Sequence, residues 1–406
     1  MRQTENGFIK PSMVHTLGTN YLGRDVLSRM IYGSRTSLIV GIVDIGLAAA
    51  VGMTMGLISP FFGAKVYPTI MRFIDTLMAL PHGNLLYAGK DIKGPATWGG
   101  ASGGIILEVD WNDNILWEYR EPYQHHDLYR MDDGNTMILG LVELPDDIVP
   151  KGRGGIHGTE LEGKMWTYFF REVTPAGEVV WEWFAYEHLD TEVDIITPLS
   201  TRGEWTHANS CFVMPNGDVL TTFHHLDTVA IIDKSTGNIK WRWGVGELAH
   251  PHDPTLLDNG NILVFDNGSR RRKRPPDYSR VVEVNPKTGE IEWEYMADPP
   301  RSFYSHFISS AQRLPNGNTL ICEGAWGRFF EVTLDKEVVW EFISPFYGRR
   351  SEFGWTNQVF RAYRYNPDHA ALKGKNLDPD RVELTLREKP MGEEQAELER
   401  QGRLNY

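Results

Sequence analysis

The chain has 406 residues, enough for one large domain with an appendage and a substantial buried core. Its 41 Lys and Arg against 54 Asp and Glu leave a net charge of −13, which argues against a nucleic-acid scaffold, because phosphate binding needs a basic surface. The two cysteines, Cys211 and Cys322, stand far apart without metal-type spacing, so a disulfide framework and a CxxC site are excluded.

The first element expected is a transmembrane helix. Ser37 to Ser59 is 23 residues long, carries one charge (Asp44), and is long enough to span a hydrocarbon core. The apolar run begins too late and extends too far for a cleaved signal peptide. Arg24, Arg29 and Arg35 precede it, against Lys65 and Arg72 after it, so the positive-inside rule puts the N-terminus inside and the rest of the chain outside.

Around that span the text reads His15-Thr-Leu-Gly-Thr-Asn-Tyr-Leu-Gly-Arg-Asp25-Val-Leu-Ser-Arg29, then Met71-Arg-Phe-Ile-Asp75 and Leu80-Pro81. It resembles the inner-membrane permease subunit of oligopeptide and dipeptide ABC importers. The family's other helices and its ATPase-coupling loop are missing. The resemblance therefore implies that residues 1–81 are an anchor, since one span cannot form a translocation path. The corresponding permease helix runs the opposite way; the charge rule is preferred here.

A repeat follows. Strands end at Trp117, Trp181, Trp241, Trp293 and Trp340, each followed by Glu or Arg. After the first four come His126 then Asp133-Gly134, His207 then Asn216-Gly217, His252 then Asn259-Gly260, and His306 then Asn316-Gly317. Each unit pairs an Asn/Asp-Gly hairpin with a Trp-ending hairpin, which makes a four-stranded blade. Turn hairpins number six, counting Gly83 and a degenerate copy at Tyr365 to His369, but Trp hairpins number five. The fold expected is all-β: a six-bladed β-propeller over 82–375, after the transmembrane α-helical segment at 37–59. Either one blade is incomplete, its first hairpin lost before Pro81, or Leu372 to Leu386 supplies strands. Residues 376–406 read as a polar tail.

Propeller loops before the inner strands open on one funnel. His126, His207, His252 and His306 are expected to converge there, joined by His224 and His225 after the inner strand Asp218 to Phe223. Converging imidazoles serve metal ligation or anion and acid–base chemistry. Asp127 and Asp253 are the obvious carboxylates available, so a metal is disfavoured and no cofactor is expected. The run Arg270 to Arg274 reads as a solvated loop that could also steer anions.

Glu204-Trp-Thr-His207-Ala-Asn209-Ser, the run Val219 to Asp233 with His224 and His225, and His250-Pro-His252-Asp-Pro resemble the bacterial arylsulfate sulfotransferases. The resemblance implies a six-bladed propeller enzyme that moves sulfate from a phenolic ester to a phenol, without a nucleotide donor, through a sulfohistidine. By motif position it implies His252 as nucleophile, with His126, His207 and Asn209 lining the sulfate pocket. Asp253, the next residue in sequence, is a candidate to fix the His252 tautomer. His224 stands where the family carries an Arg. His224, Arg202 or Arg328 would then have to supply that charge. His225 and His306 complete the expected substrate-binding set. The expected partners are small aryl sulfates and phenols and a membrane, with the propeller on its outer side; the oligomeric state is left open. The competing expectation is a non-catalytic propeller that binds a ligand or partner through the same funnel.

Overall fold

The computed structural model describes residues 77–374, apart from 81–82, 91–102, 112–113, 162, 272–276, 346, 351–353, 367–368 and 373, together with 10–13, 16–20 and 25. Residues 68–377 form one compact unit, and 1–67 with 378–406 the other. In the latter, Thr19 and Asp25 make a single antiparallel bridge.

Five four-stranded antiparallel sheets follow one another. The first blade is Leu77–Ala79, Leu85–Lys90, Gly104–Val109 and Ile115–Arg120. The second is Gln124–Arg130, Thr136–Glu143, Trp166–Val173 and Val179–Phe184. The third is Phe212–Val213, Val219–Phe223, Thr228–Ile232 and Ile239–Trp243. The fourth is Pro251–Leu256, Ile262–Asp266, Arg280–Val284 and Ile291–Tyr295. The fifth is Ser310–Arg313, Thr319–Glu323, Arg328–Val332 and Val338–Ile343. Two small pairs, Gly154–Ile156 with Ile196–Thr201 and Gly348–Arg350 with Gly354–Thr356, lie outside the blades.

The repeated text has a repeated physical cause. Between the first and second strands of the second to fifth blades, the turn glycine has φ between +84° and +89°, a conformation that costs a Cβ-bearing residue about 1–2 kcal/mol. In four blades the next residue is Asn, and its amide donates to a Glu of the third strand: Asn84 to Glu108, Asn135 to Glu172, Asn261 to Glu283 and Asn318 to Glu331. Neighbouring blades are clasped by a Trp of the outer strand, the repeat Trp in three blades and, in the third blade, Trp243, two residues after the repeat Trp241. Its indole N–H donates to a turn carbonyl of the next blade: Trp117 to Pro175, Trp181 to Lys234, Trp243 to Gly289 and Trp293 to Leu334. Apolar side chains fill the seams, as where Tyr168, Phe170 and Trp183 pack with Trp205 and Phe223. Each such burial contributes about 1.5–3 kcal/mol.

The expectation of six blades is corrected to five. Gly83 opens a complete first blade, so no blade has lost its first hairpin. The sixth turn text lacks a Trp-ending hairpin and, among the described residues, forms no sheet. Its chain, 357–364, lies along the inner strand of the fifth blade, with Ser309 N–H donating to Phe360 O and Ala362 N–H to Ser310 Oγ. Arg364 then repeats, on Trp340 and Glu331, what Arg313 does on Trp293 and Glu283. The run Val219–Phe223 is second in its blade, because Phe212–Val213 lies inside it.

The span expected at 37–59 lies outside the described residues. Among the described residues no helix is long and apolar enough to cross a membrane. The expected anchor, the membrane partner and the outer-side placement are accordingly withdrawn.

Candidate active site

Seven imidazoles form one continuous cluster where the blades meet. Ring centroids lie 4.3 Å apart for His125–His126, 4.8 Å for His126–His207, 4.8 Å for His207–His224 and 4.7 Å for His207–His225. His224 continues the cluster, 4.3 Å from His250 and 5.1 Å from His252. The backbone is bent to aim them. His126, His207 and His250 have φ of +60°, +47° and +56°, and Asp253 has +50°. Register breaks fall between Gln124 and Leu128 and between His252 and Thr255. Such bulges re-aim side chains, and left-handed non-glycine residues persist only where surrounding contacts over-determine them.

Of the expected residues, His126, His207, His252, His224 and His225 come together. Asn209 is fully buried beside them and ties two blades, donating to Pro251 O and accepting from Thr222 Oγ1. His306 is not brought into the cluster; its ring contacts are Tyr304 and Phe307. His125 and His250 belong to the cluster although their spacing did not single them out. His250 accepts or donates at Ser200 Oγ, 3.0 Å away.

His252 has a defined tautomer. Its Nδ1 lies 2.7 Å from Asn267 Oδ1, and Asn267 Nδ2 donates to Ser305 O and Ile308 O. Those two carbonyls fix the amide orientation, so Oδ1 faces His252 as an acceptor and Nδ1 carries the proton. The lone pair is then on Nε2. Asp253 does not do this work, contrary to the expectation. Instead Asp253 and Asp127, the residues after His252 and His126, share Arg361. The guanidinium Nη1 is 3.0 Å from Asp127 Oδ1, and Nε is 3.2 Å from Asp253 Oδ1. Tyr363 adds a 3.4 Å contact to Asp253.

A second network joins His126 to His207. Tyr168 OH donates to Glu204 Oε2 at 2.5 Å, and His207 Nδ1 lies 2.6 Å from the same oxygen. His125 Nδ1 is 3.1 Å from Tyr168 OH and 2.6 Å from His126 Nδ1.

Burial drives His126 and His224 well below the usual imidazole range, aided by neighbouring imidazoles. It takes His225 to about 4 and His250 and His252 to about 3, the Asn267 hydrogen bond opposing the shift of His252. Burial alone would raise Glu204, but the charge and hydrogen bond of His207 outweigh it and hold the carboxyl below its usual range. Burial raises Asp253, with Arg361 opposing.

Arg202 is committed to Glu160 at 2.5 Å and to the Gly152 and Gly154 carbonyls; Arg328 is committed to Glu323 and Glu341. Neither supplies charge to the cluster. His224 keeps a buried Nδ1 with no hydrogen-bond partner among the described residues. Among those residues no three His, Cys, Asp or Glu side chains are placed to hold a metal ion.

A five-bladed sheet ring with imidazoles at its centre defines the class as a β-propeller with a histidine-lined site. Residues 96–345 match the arylsulfotransferase (ASST) family, and the chain belongs to that family. Part of the chain is also similar to transport proteins. It is 43% identical over 68 residues to the dipeptide transport system permease protein DppC of Haemophilus influenzae, covering 17% of this chain and 23% of that one. It is 39% identical over 165 residues to the glutathione transport system permease protein GsiD of Pectobacterium atrosepticum, covering 41% and 46%. The chain thus spans less than half the length of either relative. Among solved structures, a protein of unknown function from Bacteroides caccae aligns with TM-score 0.43 and 14% identity, over 67% of this chain and 81% of that one. Virginiamycin B lyase from Staphylococcus aureus aligns with TM-score 0.39 and 13% identity, over 68% and 71%.

Proposed function

We propose that the histidine centre transfers a sulfuryl group from an aryl sulfate ester to a phenol, through a sulfohistidine at His252. One observation carries this reading: Asn267 holds the His252 Nδ1 proton and leaves Nε2 as a neutral nucleophile. Nε2 attacks sulfur, the N–S bond forms, and the S–O bond to the aryl group breaks with its electron pair leaving on the phenolate. In the second half the acceptor attacks sulfur as its phenolate, its proton having passed to the phenolate released in the first half, and the N–S electron pair returns to Nε2. Membership of the arylsulfotransferase family supports the reading. Charge on the sulfuryl oxygens must be met by preorganised donors, and imidazole N–H groups of His126 and His224 fill that role in place of a guanidinium fork.

Exposure to an aryl [35S]sulfate should label the protein on His252. His252→Ala should abolish the label and lower turnover by about a thousandfold or more, as loss of a covalent nucleophile does. Full labelling in that variant would sink the assignment. A binding-only propeller is the second reading, favoured because Arg202, Arg328 and Arg361 are all committed to carboxylates. It predicts that the wild-type protein binds aryl sulfates and never becomes labelled.

A further inference from the structure

We propose that the cleft between Leu199 and Arg270 binds a carboxylate carried by the acceptor, so that the protein prefers anionic phenols to neutral ones. This rests on the sulfuryl-transfer reading above. The cleft measures about 220 Å³ and has His250 of the imidazole cluster in its lining. A cavity of about 150 Å³ holds a benzene ring, so this one takes a single substituted ring. Its walls come from two places. Thr197, Pro198 and Leu199 lie in Ile196–Thr201, a strand outside the blades, and Ser269 and Arg270 lie in the turn after the second strand of the fourth blade. Arg270 Nη1 donates to Leu199 O and ties the two together. The turn is fixed: Arg270 has φ of +60°, and its backbone N–H donates to Asp277 Oδ2 at 3.1 Å. The same turn carries Asn267, which orients His252.

The lining suits an aromatic anion. Pro198 and Leu199 supply apolar surface, and His250 supplies a held ring, stacked 4.3 Å from His224 with its Nε2 3.0 Å from Ser200 Oγ. A guanidinium has five N–H groups. Among the described residues Arg270 uses one on a carbonyl and none on a carboxylate, unlike Arg271, Arg280 and Arg361. Its charge reaches the cluster, where it adds to burial and His225 in lowering His250. Asp227, the carboxylate of the lining, accepts the backbone N–H of His250 at 2.8 Å. It repels an anion and so leaves Arg270 as the place for one. That anion is not the sulfuryl group in transfer. From the His250 ring the path to His252 runs 4.3 Å to His224 and 5.1 Å beyond it, and His252 is not part of the lining. The charge met by Arg270 is therefore one on the far side of the acceptor ring, whose phenolic oxygen faces the cluster.

The acceptors to compare are 4-hydroxyphenylacetate and its methyl ester, whose phenolic hydroxyls are alike and whose charges differ. With 4-nitrophenyl sulfate as donor, the KM of the wild-type protein for the acid should lie at least about tenfold below that for the ester, the usual effect of a charge-assisted hydrogen bond. In Arg270→Gln the ratio should fall to about one. A wild-type protein without a preference for the acid overturns the proposal and needs no variant. A preference that survives Arg270→Gln overturns it too. So does a rise in KM for the donor as large as that for the acid, because Arg270 would then serve the transferred sulfuryl group. Equilibrium binding of both acceptors to the full chain, read by isothermal titration calorimetry, separates the subsite from the reaction. If the acid is preferred through Arg270 and the protein takes no 35S label, the subsite stands and the sulfuryl-transfer reading fails. If His252 is labelled and the acid binds no better than the ester, transfer stands and the subsite fails.

Discussion

The centre and the rim of this propeller are held together by opposite means. At the rim, regular hairpins repeat one clasp, an indole on a neighbouring carbonyl with an Asn on a Glu beneath it. The indole bonds join adjacent blades, both kinds recur from blade to blade, and each Glu is itself paired with a cation: Arg130, Lys234, Arg313 or Arg364. At the centre the backbone is bulged and left-handed, the side chains are ionisable and buried, and the partners come from distant parts of the chain. Arg361 reaches Asp127 across 234 positions of sequence. The rim can lose one clasp and remain a rim. The centre is a network in which removing one member strands the others.

Three measurements press on that contrast. The largest effect should come from Arg361→Met, which leaves two buried carboxylates without their cation. Stability to urea should drop by about 3–5 kcal/mol, the usual cost of breaking a buried pair on one side. A loss under about 1 kcal/mol would show that the centre tolerates uncompensated charge, and the contrast would collapse.

The second is pH. His225, His250 and His252 bind protons in the folded state only near pH 4 to 3, but at about 6.5 when unfolded. Between those values the unfolded chain holds more protons, so stability falls as pH falls from about 6.5 toward 4. Each of the three contributes a slope of up to about 1.4 kcal/mol per pH unit. Asp253, whose carboxyl is raised, works the other way: its contribution is lost as pH rises through its folded value. Unfolding at pH 7 and pH 5 should therefore differ strongly in the parent and less in His250→Asn. An unchanged slope in that variant would remove the cluster as its source.

The smallest effect separates the clasped seams from the open one. Trp293→Phe gives up a hydrogen bond to Leu334 O and should cost about 1 kcal/mol. Among the described residues no turn carbonyl meets the indole of Trp340, which is 42% exposed, so Trp340→Phe should cost a few tenths at most. Equal costs would mean that the clasp is not what the indoles provide.

The rim was readable in the sequence because its partners are written close together and recur. Gly83-Asn84, Gly134-Asn135, Gly260-Asn261 and Gly317-Asn318 announce the turn and the Asn–Glu bond at once. Counting turns overestimated the blades, since one strand's worth of text without a Trp hairpin builds no sheet. The centre was legible only as a recurrence of histidine. Bulges place His126, Asn209, His252 and Ser309 at one repeat position and His207 and His250 at another, so spacing alone grouped His306 with the wrong set. Asn267 and Tyr168 could not be found that way. Their roles depend on which neighbouring oxygen has already been taken, and sequence does not record that. Asp253 beside His252 in sequence suggested a partnership, yet the bulge turns the two side chains to different neighbours.

Arg361 also gives the site a clock. Translation at about 5–20 residues per second delivers Arg361 roughly 5–20 s after Asp253. All seven clustered histidines are made before it. For that interval the nascent chain carries all seven clustered imidazoles while Asp127 and Asp253 await their shared cation. The centre can settle into its final arrangement only once the segment 357–364 has been added, so the order of manufacture keeps a half-made ring from being a finished site.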